Sequence, residues 1–509
     1  MGKTSPHQDA HLLTIAKNTG LGIGGRLLFL LMRFCIALLV ARAIGPEQYG
    51  LYVLSMSVIT FLLAFSVLGI EPAMVKFVAQ YKAQDDIPML RGAVVFGCEV
   101  VMVSSIILGL VIFSSAEWVS EAIFHKTTLT PLLRIMALGV PFSSLMVILL
   151  SALQGVKLVK YKIFVQQIFM PSFRFTLIAL ALWLGLRVMG VAWAWVVTTV
   201  IGFILAIFFL MRRIGPLFST RGIAERKRII SFSIPLLLSS LFYQNRNMVG
   251  ILILGGFYPA SQVGVYGVAM RAIPFLLIPL FGFNSIFSPI ISDLFTKGKM
   301  GELERIYKTG AKWVISITLP VFTLIVFFSK EIVSVFGSGF AQSAEIITVL
   351  LIGQMANAAT GSSALMLSMT GKPLYNLFNS VVLFVLSIVL TIFMIDRFGP
   401  IGAAYAYSSS IILVQLIQMG EVWHLYRIHP YTMEHIKPVL SCLFSFLIIR
   451  FVENSFPIAS PLISIMVLVL IFLCSYGIFL LFAGLSPGDR MVLGKLLQNI
   501  LRKGAAVTQ

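Results

Sequence analysis

At 509 residues, of which 59% are hydrophobic and 11% charged, the chain carries less than half the charge of an ordinary soluble domain, and a globular enzyme is excluded. Its net charge of +19, from 38 Lys and Arg against 19 Asp and Glu, would suggest nucleic acid in a soluble protein. Here most of those cations sit in short loops between apolar runs of membrane-spanning length, so nucleic acid is not a partner and the chain reads as an all-α integral membrane protein.

In chain order, Met1 to Gly20 is polar, lacks a small-residue cleavage site and reads as a retained cytoplasmic tail rather than a signal peptide. About fourteen transmembrane helices follow, at 20–44, 50–70, 92–113, 132–154, 163–186, 189–211, 231–256, 262–292, 312–329, 343–369, 375–396, 400–426, 437–452 and 462–484. The thirteenth is short and interrupted by Arg450. Residues 1–211 form an N-terminal lobe of helices 1–6, and 231–426 a C-terminal lobe of helices 7–12. Between them 212–230, with six basic residues and Gly215-Pro216, reads as a cytoplasmic linker; 427–509 holds helices 13 and 14 and a basic tail.

Counting loops on alternate sides puts 26 Lys and Arg on the side of the two termini and 6 on the other, with the remaining 6 inside spans. The positive-inside rule then makes both termini cytoplasmic.

The chain also repeats itself. Gly190-Val191-Ala192-Trp193-Ala194-Trp195 recurs as Gly402-Ala403-Ala404-Tyr405-Ala406-Tyr407, 212 residues on. Pro46, Gly50 and Tyr52 recur as Pro259, Gly264 and Tyr266, Leu138-Gly139 as Ile352-Gly353, and Gly155 as Gly371. The unit holds six helices, an even number, so its copies insert the same way round. The expected architecture is two parallel six-helix repeats forming two lobes around a central cavity, plus two C-terminal helices.

A charge deep in a bilayer costs about 2.5–3.5 kcal/mol on insertion scales and marks a cavity or a partner. Arg33, Arg174, Arg246 and Arg271 are the deep ones. Arg246 lies within Gln244-Asn245-Arg246-Asn247, and an offset of 213 carries Arg33 onto it. None of the acids falls at a matching depth. A cationic cavity without counter-ions suits an anionic ligand, and guanidinium pairs bidentately with phosphate, so Arg33, Arg246, Arg271, Arg174, Asn245 and Asn247 are the candidate substrate-binding residues. The alternative is that each arginine donates to backbone carbonyls at an interhelical contact. Pro274, Pro279 and Gly282 make helix 8 the candidate hinge, or a static kink. Gln166, Gln167, Asn357, Asn376, Asn379, Gln415 and Gln418 read chiefly as interhelical glue.

Cys35, Cys98, Cys442 and Cys474 fall within apolar runs and support neither a disulfide framework nor a metal site. No nucleophile–base pair, nucleotide-binding glycine loop or ligand cluster implies catalysis or a cofactor.

Ile44-Gly45-Pro46-Glu47-Gln48-Tyr49-Gly50-Leu51-Tyr52 and Val75-Lys76-Phe77-Val78-Ala79 resemble the polysaccharide transporter (Wzx-like flippase) family of the multidrug/oligosaccharidyl-lipid/polysaccharide superfamily. So do Val263-Gly264-Val265-Tyr266, Gly301-Glu302-Leu303-Glu304-Arg305-Ile306-Tyr307 and Leu485-Ser486-Pro487-Gly488-Asp489-Arg490. The resemblance implies a flippase of the cell inner membrane. It would carry a polyprenyl-diphosphate-linked oligosaccharide, an O-antigen or exopolysaccharide unit, from the cytoplasmic to the outer leaflet by alternating access. Its expected partners are that glycan, membrane lipid, and glycan polymerase or assembly proteins. The alternative within the superfamily is a cation-coupled drug or metabolite antiporter, which would need the deep carboxylate that this chain lacks.

Overall fold

A backbone in hydrocarbon has no water to bond, so a helix, which satisfies its own N–H and C=O groups, is the solution open to an apolar chain without a closed barrel. The computed structural model describes residues 6–215, 225–455 and 461–484, and every element among them is helical. The middle of the expected linker, the Leu485–Arg490 motif, the C-terminal tail and the side chain of Gln244 lie outside the described residues. Among those described, ten helices are long and apolar enough to cross a membrane, or twelve when two bent pairs are each counted once. The chain packs as two compact units, Met1–Arg271 with Val333–Ile346 and Ser380–Tyr407, and Ala272–Ile332 with Ile347–Asn379 and Ser408–Gln509.

In the first unit, α1 (Pro6–Ser66) is broken at Gly45, where φ is 75° and ψ 175°, immediately before Pro46. The 43 residues from Gly24 to Ser66 would extend about 65 Å as helix, twice the ~30 Å of a hydrocarbon core. The two helical stretches that meet at Gly45 therefore have together the length of two spans. Next comes α2 (Ile70–Ala83), where the sequence suggested only a charged loop. Its buried residues, Ile70, Ala73, Met74, Phe77, Val78 and Tyr81, recur every three or four positions and form one stripe. Glu71, Lys76 and Lys82 lower its mean hydropathy without interrupting that stripe.

Asp86 caps α3 (Ile87–Trp118) by accepting the Met89 N–H at 2.9 Å. The expected fourth span is a bent pair, α4 (Leu129–Ala137) and α5 (Val140–Gly155), angled at 42°. At the bend a Cβ on Gly139 would lie 2.3 Å from the Trp195 ring, so only glycine fits. After α6 (Val159–Ile163), one π turn leads into α7 (Met170–Trp183), followed by α8 (Arg187–Ile214). The expected seventh span is two helices, α9 (Arg226–Asn245) and α10 (Val249–Phe257), and the eighth begins with α11 (Ala260–Ala269). Phe77, Met74, Leu90, Leu150 and Leu153 are the buried centre of the α2–α3–α5 packing.

The second unit opens with α12 (Ile273–Leu276) and α13 (Ile278–Thr296), then α14 (Met300–Phe327). Further on come α15 (Ser329–Ser334), α16 (Ser343–Ala359), α17 (Ser363–Met369), α18 (Pro373–Phe398), α19 (Pro400–Tyr426), α20 (Ile436–Ser455) and α21 (Pro461–Phe482), the chain crossing between units within α15, α16, α18 and α19. Asn357 and Gln415 behave as interhelical glue. Gln415 donates to Asn357 Oδ1 at 2.9 Å and accepts from Thr360 Oγ1 at 2.9 Å, while the Tyr307 hydroxyl donates to the Thr360 carbonyl at 2.9 Å.

The turns themselves recur. Asp85 (φ 51°) and Gly298 (φ 69°), Lys157 (65°) and Gly371 (79°), and Arg187 (46°) and Gly399 (67°) are left-handed residues 212–214 positions apart. Gly371 thus matches Lys157 in backbone, not Gly155 as sequence matching suggested; Gly155 is glycine because a Cβ would press on Val78 at 2.9 Å. Gly353 is crowded by Ser408 much as Gly139 is by Trp195.

Candidate functional site

Arg33 lies on the first half of α1, its guanidinium 5.4 Å from the Phe29 ring centre. Arg174 follows Pro171 in the first turns of α7. Arg271 occupies the break after α11, where the Met270 N–H still reaches Tyr266 and the Arg271 N–H reaches Val268, both at 3.0 Å. These three come from separate places in the first unit and converge. The ionisable side chains near enough to act on Arg33 are Arg271, Tyr52, Arg174 and Tyr49. Tyr52 bears likewise on Arg174 and Arg271. The Tyr49 hydroxyl accepts from Arg271 Nε at 3.5 Å, a long contact.

Among the described residues none of these three arginines makes a salt bridge, and Arg174 Nε is buried without a hydrogen-bond partner. The Arg33 side chain is exposed on the protein surface. The arrangement holds three permanent cations around two phenols, with no carboxylate among the described residues paired to them.

Tyr49 and Tyr52 were not among the residues that sequence reasoning placed in the site. They stood in the Tyr49-Gly50-Leu51-Tyr52 motif, and their spacing of three puts both on one helix face. Both are buried.

Arg246 has different surroundings. It sits with Asn245 and Asn247 in the break between α9 and α10, bridged by the Met248 N–H reaching the Asn245 carbonyl at 2.9 Å. Asn245 is buried, and its Oδ1 has no partner among the described residues. Asn247 Oδ1 accepts from the Tyr407 hydroxyl at 3.1 Å. A helix interrupted at membrane depth leaves backbone groups for polar side chains to meet, which accounts for a polar cluster here.

The three hinge candidates belong to the second unit. Pro274 and Pro279 stand in the first turns of α12 and α13, so each proline begins a helix just after a break. A Cβ on Gly282 would meet open space, so close packing does not demand that glycine.

The carboxylates nearest in kind to a coupling group lie elsewhere. Glu71 accepts from Lys162 at 3.0 Å beside Gln154. Half-buried Glu421, in the last turns of α19, accepts from Asn379 at 2.6 Å. Just before α9, Glu225 is held below the usual carboxylate range by hydrogen bonds from Arg228 at 2.7 Å and Tyr81 at 3.1 Å.

A family model described as polysaccharide biosynthesis protein matches residues 15–295. The chain belongs to that family. A second model, MatE, matches residues 235–393 of this polysaccharide biosynthesis protein. An uncharacterized membrane protein of Methanocaldococcus jannaschii is 23% identical over 83% of the chain and 86% of its own length. A probable low-salt glycan biosynthesis flippase of Haloferax volcanii is 26% identical over 35% of the chain and 38% of its own length. Among solved structures, the lipid II flippase MurJ in an inward closed conformation matches with a TM-score of 0.70 at 14% identity, over 90% of this chain and 96% of that one. An inward-facing multidrug resistance MATE transporter matches with a TM-score of 0.65 at 15% identity, over 78% and 94%. At such identities the structural likeness speaks for the fold alone.

Proposed function

We propose that this member of the polysaccharide biosynthesis protein family flips a polyprenyl-diphosphate-linked oligosaccharide from the cytoplasmic to the outer leaflet by alternating access, with both termini in the cytoplasm. The observation that carries this reading is the convergence of Arg33, Arg174 and Arg271 on Tyr49 and Tyr52 with no ion pair to any of the three among the described residues. Guanidinium groups left without carboxylates need an anion, and a diphosphate offers oxygens in the geometry that their forks match. The fourteen-span, two-repeat architecture belongs to the same proposal. Its supports are the length of α1, the broken α9–α10 pair and the recurrence of left-handed turns at 212–214 residues.

The test is movement of a fluorescent undecaprenyl-diphosphate N-acetylglucosamine across proteoliposomes, beside a neutral glycolipid with the same tail. The diphosphate lipid should move and the neutral one should not. Equal movement of both would refute diphosphate recognition.

A second reading, cation-coupled antiport, is favoured by the MatE match over 235–393 and by the half-buried Glu421. It predicts that Glu421→Gln abolishes uptake of a drug cation driven by a sodium or proton gradient.

A further inference from the structure

Topology asks for cations at one set of helix ends in a membrane protein, but it does not ask that they stand without acids. In the second unit the loop lysines are paired: Lys297 with Asp293 at 2.7 Å, Lys299 with Glu302 at 2.8 Å and Lys437 with Glu434 at 2.8 Å. Where α6 meets the end of α8 in the first unit, the cations are bare. Lys157, Lys160, Arg212 and Arg213 are all exposed, and none of them pairs with an acid among the described residues.

Three of the four rest on aromatic rings. Arg213 Nε donates to the Tyr161 hydroxyl at 2.8 Å. The Arg213 guanidinium and the Lys160 ammonium lie 5.5 and 5.2 Å from the Tyr161 ring centre. Arg212 stands 6.0 Å from the ring centre of Phe208. At exposed sites such contacts are weak, so they position the charges without neutralising them.

Beside the cations the surface turns apolar within one helical turn. Phe164, one turn after Lys160, is 41% exposed; Phe208, one turn before Arg212, is 51% exposed, and Ile204, a turn further back, is 56% exposed. Two apolar stripes, each ending in a cation, therefore lie on neighbouring helices. Phe209 joins them, its ring centre 4.7 Å from that of Tyr161 and 6.1 Å from that of Phe164. Apolar residues facing lipid are ordinary in a membrane protein. Unpaired cations fixed above two such stripes have the polarity of a phospholipid, with phosphate at one end and chain along the other.

The internal repeat separates scaffold from charge. At an offset of 214, Tyr161 and Arg213 recur as Tyr375 and Arg427, while Lys157 and Lys160 become Gly371 and Leu374. Arg427 stands over Trp423, 4.5 Å from its ring centre. The second copy keeps the tyrosine and the arginine without the lysines, so the fold of the repeat does not require them.

We infer that Lys160, Tyr161, Arg212 and Arg213 bind the headgroup of an anionic phospholipid, with an acyl chain lying along Phe164, Phe208 and Ile204. On the topology proposed above, that lipid belongs to the cytoplasmic leaflet. A guanidinium fork matches the phosphodiester oxygens, and basic pockets between helix ends are suited to such headgroups. The site is distinct from the arginines around Tyr49 and Tyr52, and its test reads no transport, so it stands or falls apart from the flippase reading.

Native mass spectrometry of the full chain in a neutral detergent provides that test. Phosphatidylglycerol, phosphatidylcholine with the same chains, and water-soluble glycerophosphoglycerol are titrated in turn. Phosphatidylglycerol should bind at least ~10-fold more tightly than either of the others. Lys160→Ala with Arg213→Ala should remove that preference, and Tyr161→Leu, which keeps every charge, should weaken it several-fold. Lys297→Ala with Lys299→Ala removes the same net charge from paired lysines and should leave it unchanged. Equal losses in the two double variants would reduce the effect to diffuse charge and overturn the site, as would full preference in Tyr161→Leu. Phosphatidylcholine binding as tightly as phosphatidylglycerol would overturn headgroup recognition. Glycerophosphoglycerol binding as tightly as the lipid would leave no part for the chain and overturn the lipid. Melting is followed in parallel, and if the alanine pair at 160 and 213 does not stay folded, Lys160→Gln with Arg213→Gln is held to the same outcomes.

Discussion

Arg33 gives the sharpest test of the site. Its guanidinium has ring contact with Phe29 and the fields of Arg174 and Arg271 around it, and among the described residues no carboxylate pairs with it. Truncating it breaks no ion pair and removes one of three like charges, so Arg33→Ala should leave membrane abundance and thermal stability unchanged or slightly raised. Recognition is another matter. Hydrogen bonds to charged groups contribute about 1.5–3 kcal/mol each, and every 1.4 kcal/mol is about tenfold. Losing one such bond should slow probe movement about 10–150-fold, and losing a bidentate pair should take it to the background. Arg33→Lys keeps the charge but not the fork and should retain part of the activity. Arg33→Glu should abolish it. Abundance and transport are to be measured on the same proteoliposomes. Well-inserted Arg33→Ala moving the diphosphate lipid within about twofold of the parent would refute the site, as would loss of the protein with the surviving fraction fully active.

The long Tyr49–Arg271 contact predicts a smaller effect: Tyr49→Phe should slow transport about 5-fold, near 1 kcal/mol, with abundance unchanged, and an unchanged rate would remove Tyr49 from the site. Replacing both Pro274 and Pro279 with Ala should join α12 to its neighbours, trapping one state and stopping turnover while the protein still inserts; normal turnover would leave a static feature. Arg187 holds a left-handed turn that its counterpart Gly399 occupies freely, so Arg187→Gly should be neutral to stabilising by up to about 1 kcal/mol and Gly399→Ala destabilising by a similar amount, read as shifts in the apparent melting temperature. The depressed titration of Glu225 means that its bonds to Arg228 and Tyr81 stabilise the fold above the ordinary carboxylate range and lose that contribution as pH falls through the lower folded value. The stability gap between the parent and Glu225→Gln should therefore be present at neutral pH and close in acid.

Hydropathy made the membrane-spanning runs legible, but it averages, and averaging hid α2. Lys76, Lys82 and Glu71 dilute a segment whose buried residues still keep helical spacing, so periodicity would have found what mean hydropathy passed over. The breaks were legible in part. Pro274 and Pro279 announce theirs, since a proline starts a helix more readily than it continues one. The Asn245-Arg246-Asn247 cluster announced a break in the seventh span that was read only as a polar site. Repeat matching by residue identity slipped at Gly155, because a glycine required by packing against Val78 looks the same in sequence as one required by a left-handed turn.

The site divides along the same line. A charge in an apolar run is expensive, so each deep arginine stands out and asks for a reason. The offset of 213 then suggested that Arg33 and Arg246 serve alike, yet one lies within an unbroken stretch of α1 and the other in the gap between two helices. A repeat preserves position in the chain more faithfully than local backbone. Tyrosine carries no such signal. Its ring is at home in hydrocarbon and its hydroxyl needs only one partner, so Tyr49 and Tyr52 cost little wherever they fall and look like any other aromatic pair. Only their convergence with Arg33, Arg174 and Arg271 in three dimensions separates them from packing. Residues whose burial is costly can be found from sequence because something must compensate them; residues that are cheap to bury take their meaning from what they touch.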